Sequence, residues 1–268
     1  MSFYTSLSGL NNAQTNLNVT AQNIANSETM GFKSSRVAFS DIVASSASTD
    51  PRMIQGIGSS VAAITQNFST GSIQQTGSAL DLAVSGDGFF TTKSLDTGET
   101  LFTRNGAFEM DENGFIQDGS GNALQIFAPG ADPASDPTID AQIATVNAGG
   151  ATFAGIVVDS DGSVTASYTD GSTETIGTVA LASFVAPTGL KQVGSSNWEV
   201  TGISGAPTYG TAGTGNFGEI ASGALEGSNV DIAEELVNLI TAQRYFQANA
   251  KAIDTATQLS QTVINLRT

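Results

Sequence analysis

Two short motifs in this chain have the residue types of ligand-binding sites. Residues 213–218, Gly-Thr-Gly-Asn-Phe-Gly, fit the glycine pattern that holds dinucleotide phosphates, but that pattern needs a preceding strand, and residues 205–210 are typical of a loop. Residues 159–162, Asp-Ser-Asp-Gly, match the start of a calcium loop, yet its sixth and twelfth positions hold Val164 and Asp170 instead of Gly and Glu. Residues 159–162 are therefore predicted to be a β-hairpin turn and residues 213–218 a flexible connection toward the C-terminal helix, and no cofactor or metal site is expected.

The composition restricts the remaining chemistry. The chain has no histidine and no cysteine, which excludes a Ser-His-Asp triad, a cysteine nucleophile, a histidine-ligated zinc and a disulfide. Pairs of carboxylates survive this restriction, but among 25 acidic residues some lie close together by chance. We therefore expect no enzymatic activity and no catalytic residue.

Charge and hydropathy narrow the set of partners. Acidic residues outnumber basic ones by 25 to 9, a net charge of −16, whereas nucleic-acid affinity depends on Lys and Arg, so nucleic acid is not an expected partner. No apolar run approaches the ~18 residues of a membrane span, so membrane insertion is not expected. Residues 1–7 also lack the basic and apolar regions of a cleaved signal peptide.

The two ends of the chain have the heptad spacing of packed helices. Residues 2–27 carry no charge, and alternating spacings of four and three separate Phe3, Leu7, Leu10, Gln14, Leu17, Ala21 and Ile24. The same spacing separates Ile232, Leu236, Leu239, Gln243, Phe246, Ala250, Ile253, Thr257, Ser260 and Ile264. The second pattern predicts a helix from about 230 to 266, with Ser228 or Asn229 as its N-cap.

The middle of the chain has the short alternating runs and glycine turns of β-structure. We therefore predict an α+β fold in which the N- and C-terminal helices pair as a coiled-coil-like inner core, with a mainly β middle region. The predicted domains are a helical terminal core domain (1–30 plus 229–268), an extended linker or arm (31–75), a β-rich domain (76–128 plus 156–228) and a loop or reduced outer-domain insertion (129–155).

Two interpretations of the terminal helices remain open. Either they pack on the sheet of a single α+β domain, or they pair with each other and with helices of other copies. The second is favoured because the N-terminal helix lacks charge on every face, and because a lone two-helix coil this short is marginal in water. It predicts a polymer core interface formed by Leu7, Leu10, Leu17, Ile24, Ile232, Leu236, Leu239, Phe246, Ile253 and Ile264.

Several longer motifs resemble those of flagellar rod and hook proteins. Asn23-Ile24-Ala25-Asn26, followed by Gly31-Phe32-Lys33, is similar to the N-terminal signature of that family. Residues 80–90 and 102–108 resemble its β-region, and residues 225–231, 236–244 and 247–250 resemble its C-terminal helix. The family motif positions singled out here are Asn23, Asn26, Gly31, Phe32, Lys33, Asp87, Gly88, Phe89 and Phe90.

The resemblance implies a structural subunit that polymerises with itself into the flexible helical tube of the flagellar hook and transmits motor torque to the filament. Residues 39–44, 168–172 and 176–181 look more like the hook than the distal rod. The implied partners are other copies, the distal rod protein, the hook cap, the hook–filament junction proteins and the type III export apparatus.

The implied location is the flagellar basal body or hook, outside the cell after type III export without a cleaved signal peptide. One alternative is the distal rod protein of the basal body, which the short middle region favours. Outside the family, the alternative is a monomeric surface binding module, which would stay monomeric at high concentration.

Overall fold

The computed structural model describes residues 2–44, 55–95, 97–133 and 135–265, and these form two compact units. Unit 1 consists of residues 1–27, 34–67 and 230–268, and unit 2 consists of residues 28–33 and 68–229. Parts of the predicted domains fall outside the described ranges, namely residues 1 and 266–268 of the helical terminal core domain, 45–54 of the arm, 96 of the β-rich domain and 134 of the insertion. The bounds of the four predicted domains remain a prediction.

Two long helices belong to unit 1. Helix α1 spans Ser2–Ala25 and helix α2 spans Ile232–Asn265, close to the ranges that the apolar spacing predicts. Their direction is antiparallel, because Gly9 lies against the side chain of Asn249 and the Asn23 Nδ2 donates to Glu235 Oε1 at 2.9 Å. Together with the mainly β middle of the chain, these helices confirm an α+β fold.

The N-cap of α2 is Asp231, so the prediction of Ser228 or Asn229 is wrong. The Asp231 Oδ1 accepts hydrogen bonds from the backbone N–H groups of Ala233 at 2.8 Å and Glu234 at 3.2 Å. These donors lie in the first turn, where no helical carbonyl can reach them. Asn229 instead donates from its side chain to the Ser69 carbonyl at 3.1 Å.

Besides the two helices, unit 1 contains two strands that form a long antiparallel hairpin. Strand β1 spans Ser35–Ala44 and strand β2 spans Gln55–Gln66, with register shifts after Ala38 and after Ile42. The hairpin approaches α1 closely at Gly58, where an added Cβ would lie 2.6 Å from the Ser8 Oγ. Glycine is favoured there because an added side chain would collide with the Ser8 hydroxyl and because φ is +150°, which L residues rarely adopt.

Unit 2 consists of short strands. They are β3 (Ile73–Gln75), β4 (Leu82–Ser85), β5 (Phe89–Ser94), β6 (Thr100–Thr103), β7 (Phe108–Met110), β8 (Ile116–Asp118), β9 (Asn122–Phe127), β10 (Ile139–Asp140), β11 (Phe153–Val158), β12 (Ser163–Tyr168), β13 (Thr173–Val179), β14 (Leu181–Ser183), β15 (Lys191–Gly194), β16 (Asn197–Glu199), β17 (Thr208–Gly210), β18 (Glu219–Ser222) and β19 (Ala224–Glu226). A 3₁₀ turn spans Pro187–Gly189.

The main sheet of unit 2 is antiparallel in every pairing between its strands. Its strand order is β11-β12-β13-β9-β5-β6-β16-β15, with β8 and β10 also on β9, β7 on β8, and β14 between β5 and β17. Two small antiparallel sheets, β18 with β4 and β19 with β3, complete the unit.

Two apolar clusters lie inside unit 2. Strand β12 shows how the sequence builds the larger one, since Val164, Ala166 and Tyr168 alternate inward while their neighbours stay half-buried. The segment 129–155, predicted as a loop or insertion, also supplies Ala141 and Ile143 to this core. The smaller cluster surrounds the single tryptophan, Trp198, and contains Phe89, Phe102, Ala182 and Leu190.

Candidate assembly interface and buried charge cluster

The ten residues predicted to form the polymer core interface lie on both helices of unit 1, and none is buried. Six are half-buried, namely Leu10, Leu17, Ile24, Leu239, Phe246 and Ile253. The other four are exposed, with exposed fractions of 37% for Leu7, 44% for Ile232, 46% for Leu236 and 63% for Ile264. Each helix therefore keeps part of its predicted apolar seam uncovered within one copy of the chain.

The buried positions of the helices are largely small or polar. On α1 they are Ala13, Val19, Thr20 and Asn23, and on α2 the buried residue is Ala242. At Gly9 an added Cβ would lie 2.7 Å from the Asn249 Oδ1, so the two helices approach closely at this point. Apolar periodicity cannot detect such a face, because it records only large apolar side chains.

Further apolar side chains of unit 1 lie in water around these helices. The exposed ones on the helices are Phe3, Tyr4, Val237, Ile240, Tyr245, Leu259 and Val263, and those on the hairpin are Phe39, Ile42, Val43, Ile57, Val61 and Ile64. Isolated exposed apolar residues are normal, but so many on one compact unit are typical of an interaction surface. We call the exposed apolar residues of α1 and α2 the helix surface.

The motif residue Asn23 joins three elements of unit 1. Its Nδ2 donates to the Ser35 carbonyl at 2.8 Å and to Glu235 Oε1 at 2.9 Å, while its Oδ1 accepts from the Ser35 N–H at 2.9 Å. The side chain is 1% exposed, so each of these bonds satisfies a buried polar group. The Asn26 Nδ2 donates to the Gln22 carbonyl, four residues earlier, at 2.8 Å. Asn26 directly follows Ala25, the last residue of α1.

The other N-terminal motif residues pack inside unit 2. Gly31 has φ +67°, and an added Cβ would lie 2.5 Å from the Asn105 nitrogen, so only glycine fits. Phe32 is buried, and Lys33 is fully buried beside Glu226. The motif Gly31-Phe32-Lys33 therefore carries one buried charge.

Lys33, Arg104 and Glu226 form what we call the Glu226 cluster. The Lys33 Nζ donates to Glu226 Oε1 at 2.6 Å and to the Ser69 carbonyl at 2.8 Å. The Arg104 Nη1 donates to Glu226 Oε2 at 3.3 Å, and the Gly71 N–H donates to Glu226 Oε1 at 2.8 Å. Loss of hydration on burial outweighs the attraction of Glu226 and lowers the pKa of both Lys33 and Arg104.

The sequence patterns did not identify Arg104 and Glu226 as residues of a buried charge cluster. Both lie in motifs that resemble the family, 102–108 and 225–231, but no pattern links them, because they are 122 residues apart. One usable signal was composition: the chain has 9 basic residues, and two of them stand inside otherwise uncharged runs at 29–35 and 100–108.

The motif at 87–90 is mostly core. Phe90 packs edge-on against Phe108 in the larger cluster, and Phe89 packs against Trp198 in the smaller one. Gly88 has φ +128°, which an L side chain rarely adopts. Asp87 is exposed, and its carbonyl accepts from the Gly218 N–H at 2.9 Å.

Residues 159–162 form a turn, as the sequence predicts, and residues 213–218, predicted as a flexible connection, also lie in turns. The expectation that residues 205–210 are a loop is wrong at Thr208–Gly210, which form strand β17. In 213–218 the Gly213 N–H donates to the Gly218 carbonyl at 3.1 Å, and strand β18 follows where a nucleotide site would need a helix. Residues 159–162 form the turn between β11 and β12, with Gly162 at φ +83°. Among the described residues, no group of three or more acidic side chains is placed to hold a metal ion.

None of the helices within the described ranges is both long enough and apolar enough to cross a membrane.

Family models of flagellar rod and hook proteins match the terminal helices and the β-rich middle of this chain. Residues 3–33 match the family described as flagella basal body rod protein, and residues 83–166 match the D1 domain of flagellar hook protein FlgE/F/G. Residues 221–266 match the C-terminal region of flagellar basal body rod FlgEFG protein.

Relatives that align over almost the whole chain support the same family. The flagellar basal-body rod protein FlgG of Bacillus subtilis is 36% identical over 279 residues, which cover 99% of this chain and 98% of FlgG. The flagellar hook protein FlgE of Escherichia coli is 30% identical over 410 aligned residues, covering all of both chains. The chain belongs to the flagellar hook and rod protein family, whose members are structural proteins, and this favours a non-enzymatic role.

A solved hook protein structure, FlgE2 of Helicobacter pylori, is similar at a TM-score of 0.26 and 15% identity over 65% of this chain and 46% of its own. A similarity this low does not support a conclusion about the fold or function of this chain.

Proposed function

We propose that this chain is a structural subunit of the flagellar hook, and that it polymerises with itself into an open helical tube. The observation that carries the proposal is the helix surface, a set of large apolar side chains that one copy leaves in water. A contact between two different surfaces that does not close into a ring extends into a filament, so copies can be added without limit.

The helices supply the inner wall of the proposed tube. Helices α1 and α2 would pack with those of other copies in the manner of a coiled coil, through the ten predicted core residues. Each large apolar side chain that becomes fully buried would contribute about 1.5–3 kcal/mol. The net charge of −16 would keep free subunits apart until this burial outweighs their repulsion.

Unit 2 and the hairpin would form the middle and outer shell. Bending of a hook requires axial contacts that lengthen and shorten as the tube rotates, and polar contacts can exchange partners with water at small cost. The turns of unit 2 are rich in Gly, Ser and Asp, as at 159–162 and 169–172, and these residues are mostly exposed. They favour sliding contacts outside a fixed helical core.

The proposed partners follow from this assignment. They are other copies of the chain, the distal rod protein at one end of the tube, and the hook cap and hook–filament junction proteins at the other. Export would use the flagellar type III apparatus with the N-terminal segment as an uncleaved signal, placing the subunit outside the cell in the hook.

The distal rod is the second candidate, because its length agrees better. The alignment with FlgG runs over 279 positions, close to the 268 residues of this chain, whereas the alignment with FlgE runs over 410. The hook relative therefore carries long segments that this chain lacks.

Assembly is tested with Leu236→Asp and negative-stain microscopy. Leu236 is 46% exposed, so the charge should leave the free subunit folded and yet abolish tubes, because assembly would bury an unpaired carboxylate. The control is Val157→Asp, the same change on a 56% exposed side chain of β11, which should still assemble. Normal tubes from Leu236→Asp would exclude the helix surface as the inner wall.

The choice between hook and distal rod is tested by deletion of the gene in its own bacterium. Cells that lack a hook protein should retain a complete rod, whereas cells that lack the distal rod protein should not. Purified basal bodies viewed by electron microscopy give the answer, and a shortened rod would assign the chain to the rod. A wild-type chain that stays monomeric at high concentration would instead favour a binding module.

A further inference from the structure

The chain passes between unit 1 and unit 2 at four points, and three of them lie next to the Glu226 cluster. The crossings fall at residues 27/28, 33/34, 67/68 and 229/230. Lys33 immediately precedes the second crossing, Ser69 and Gly71 follow the third, and Glu226 precedes the fourth by a few residues. All of these residues belong to unit 2.

A single carboxylate belongs to one of these three segments and contacts groups from the other two. Glu226 itself belongs to the segment before the last crossing, and its Oε1 accepts from the Lys33 Nζ at 2.6 Å and the Gly71 N–H at 2.8 Å. Lys33 in turn donates to the Ser69 carbonyl at 2.8 Å, which closes the triangle. The cluster therefore connects each segment to both others.

Backbone bonds tie the same segments together. The Gly31 N–H donates to the Glu226 carbonyl at 2.8 Å, and the Gly227 N–H donates to the Ser72 carbonyl at 2.7 Å. The fit is close, because an added Cβ on Gly71 would lie 2.2 Å from the Gly227 oxygen. No side chain separates these backbones, so one segment cannot move far without displacing the next.

The charges make partial opening unfavourable. Lys33 and Glu226 have side chains that are 0% exposed and Arg104 is 2% exposed, so none can be solvated in place. Separation of Glu226 would take this acid from both buried cations, and separation of either cation would break charged hydrogen bonds in a site that water does not reach; both are more costly than the loss of a neutral contact. A cluster of this kind contributes little net stability compared with apolar packing. It does, however, require the segments that carry its residues to open at the same time.

We propose that the Glu226 cluster joins the three crossing segments into one cooperative element, so that displacement carried into unit 2 along one connection is shared by all three. Its meaning in the flagellum rests on the proposed polymer, in which subunits transmit torque. The cooperative opening itself is a property of the single chain and holds whether or not the chain polymerises.

The test is hydrogen exchange of the purified subunit, read by mass spectrometry, for wild type and Lys33→Met. Methionine fills similar volume and leaves Arg104 to balance the charge of Glu226, so unit 2 should fold, which buried Trp198 reports by fluorescence. Exchange at the amides of Gly31, Gly71 and Gly227 should rise together, by a similar factor of roughly 10 or more, because the variant loses the bonds of Lys33 to Glu226 and to the Ser69 carbonyl.

The matched control is Lys191→Met. Lys191 pairs with Glu199 at 2.8 Å, but the two side chains are 65% and 45% exposed, so the same change of charge should leave exchange at the three glycine amides unaltered. Faster exchange at Gly31 alone in Lys33→Met, with Gly71 and Gly227 unchanged, would overturn the proposal.

A second variant covers the case in which Lys33→Met does not fold. Arg104→Lys keeps the charge but shortens the reach toward Glu226, and it should raise exchange at all three amides by a smaller common factor. Unequal factors at the three amides would overturn the proposal. Tube assembly is scored separately, so a wild-type chain that fails to polymerise would refute the proposed function without altering the exchange result.

Discussion

Glu226 is the acid on which two buried cations depend. Its replacement by Gln would leave Lys33 and Arg104 close together and desolvated, with Asp87 as the remaining acid that acts on Arg104. Removal of one partner from a buried ion pair costs about 3–5 kcal/mol, so Glu226→Gln should lower the free energy of unfolding of unit 2 by that amount. Urea unfolding followed by Trp198 fluorescence measures the change, since this is the single tryptophan and is fully buried.

The control for this measurement is Glu199→Gln. Glu199 makes an exposed pair with Lys191, so its loss should cost less than about 1 kcal/mol. Equal effects of the two substitutions would show that the Glu226 cluster behaves as a solvated surface pair.

Asp170 gives unit 2 a local dependence on acid. The Ser172 Oγ at 2.6 Å and the Ser172 N–H at 2.9 Å both donate to Asp170 Oδ1, and the Asn147 Nδ2 donates to its Oδ2 at 3.2 Å. These bonds lower the pKa of Asp170 below its ordinary value of 3.8 because they favour the ionised form. A lowered pKa adds stability above the unfolded value that is lost as the pH falls through the folded value.

Asp170→Asn should therefore be less stable than wild type at neutral pH, and the difference should decline as the pH falls below about 3.8 and vanish once it is below the lowered pKa of the folded state. Urea unfolding at a series of pH values measures it. Asp161→Asn in the turn before β12, where the carboxylate accepts from the Ser163 N–H at 3.0 Å, is the comparison and should show a smaller difference. A difference that persists unchanged into acid would contradict the role of the charge.

At the scale of elements, the turn between β15 and β16 holds two residues in an unfavourable conformation. Ser195 and Ser196 have φ of 51° and 57°, a left-handed pair that matches the twist of a hairpin but disfavours serine. Ser196 has a compensating role, because its Oγ donates to the Met30 carbonyl at 3.0 Å. Ser195 is exposed, and no hydrogen bond of its side chain is recorded within the described ranges.

Ser195→Asn should therefore stabilise unit 2 by about 0.5 kcal/mol, because Asn tolerates the left-handed region better than Ser. Urea unfolding gives the free energy difference. Ser160→Asn is the control, since Ser160 lies in a turn without a positive φ and should gain nothing. A loss of stability in Ser195→Asn would mean that the serine hydroxyl makes a contact that matters.

The helices show how far a sequence pattern extends. Heptad spacing predicts both helices, since large apolar residues at a 3.5-residue period mark a helical face. It does not predict the face by which α1 meets α2 within one copy, where Gly9 lies against Asn249 and Asn23 bonds to Glu235. Small and polar residues make that contact, and their value depends on a partner whose position the sequence does not encode locally.

The Glu226 cluster shows even more clearly that a local sequence pattern does not predict contacts between distant residues. Lys33 belongs to a recognisable motif, but its partner Glu226 is 193 residues away. One sequence contains no information on which of 25 acids meets a given lysine. The hairpin turns at 159–162 and 169–172 were predictable, because Asp-Gly pairs between alternating strands determine their conformation locally.

At the scale of the whole molecule, unit 1 and unit 2 differ in how they bury apolar residues. Unit 2 contains two clusters of fully buried side chains, whereas unit 1 keeps much of its apolar surface exposed. A helix pair with so little buried apolar surface gains little from tertiary packing, which is the main source of helix stability in proteins. Unit 1 should therefore be the less stable part of the free subunit.

Hydrogen exchange of free and assembled protein checks this expectation. In the free subunit the amides of residues 4–26 should exchange almost at the unfolded rate, because α1 opens often when no other copy covers it. After assembly they should become strongly protected, because neighbouring copies bury the helix surface. Amides of β5 and β9, central strands of the main sheet, serve as the internal control and should be protected in both states. Strong protection of residues 4–26 in the free subunit would mean that one copy stabilises α1 by itself, and the inner wall of the proposed tube would then need another source of cohesion.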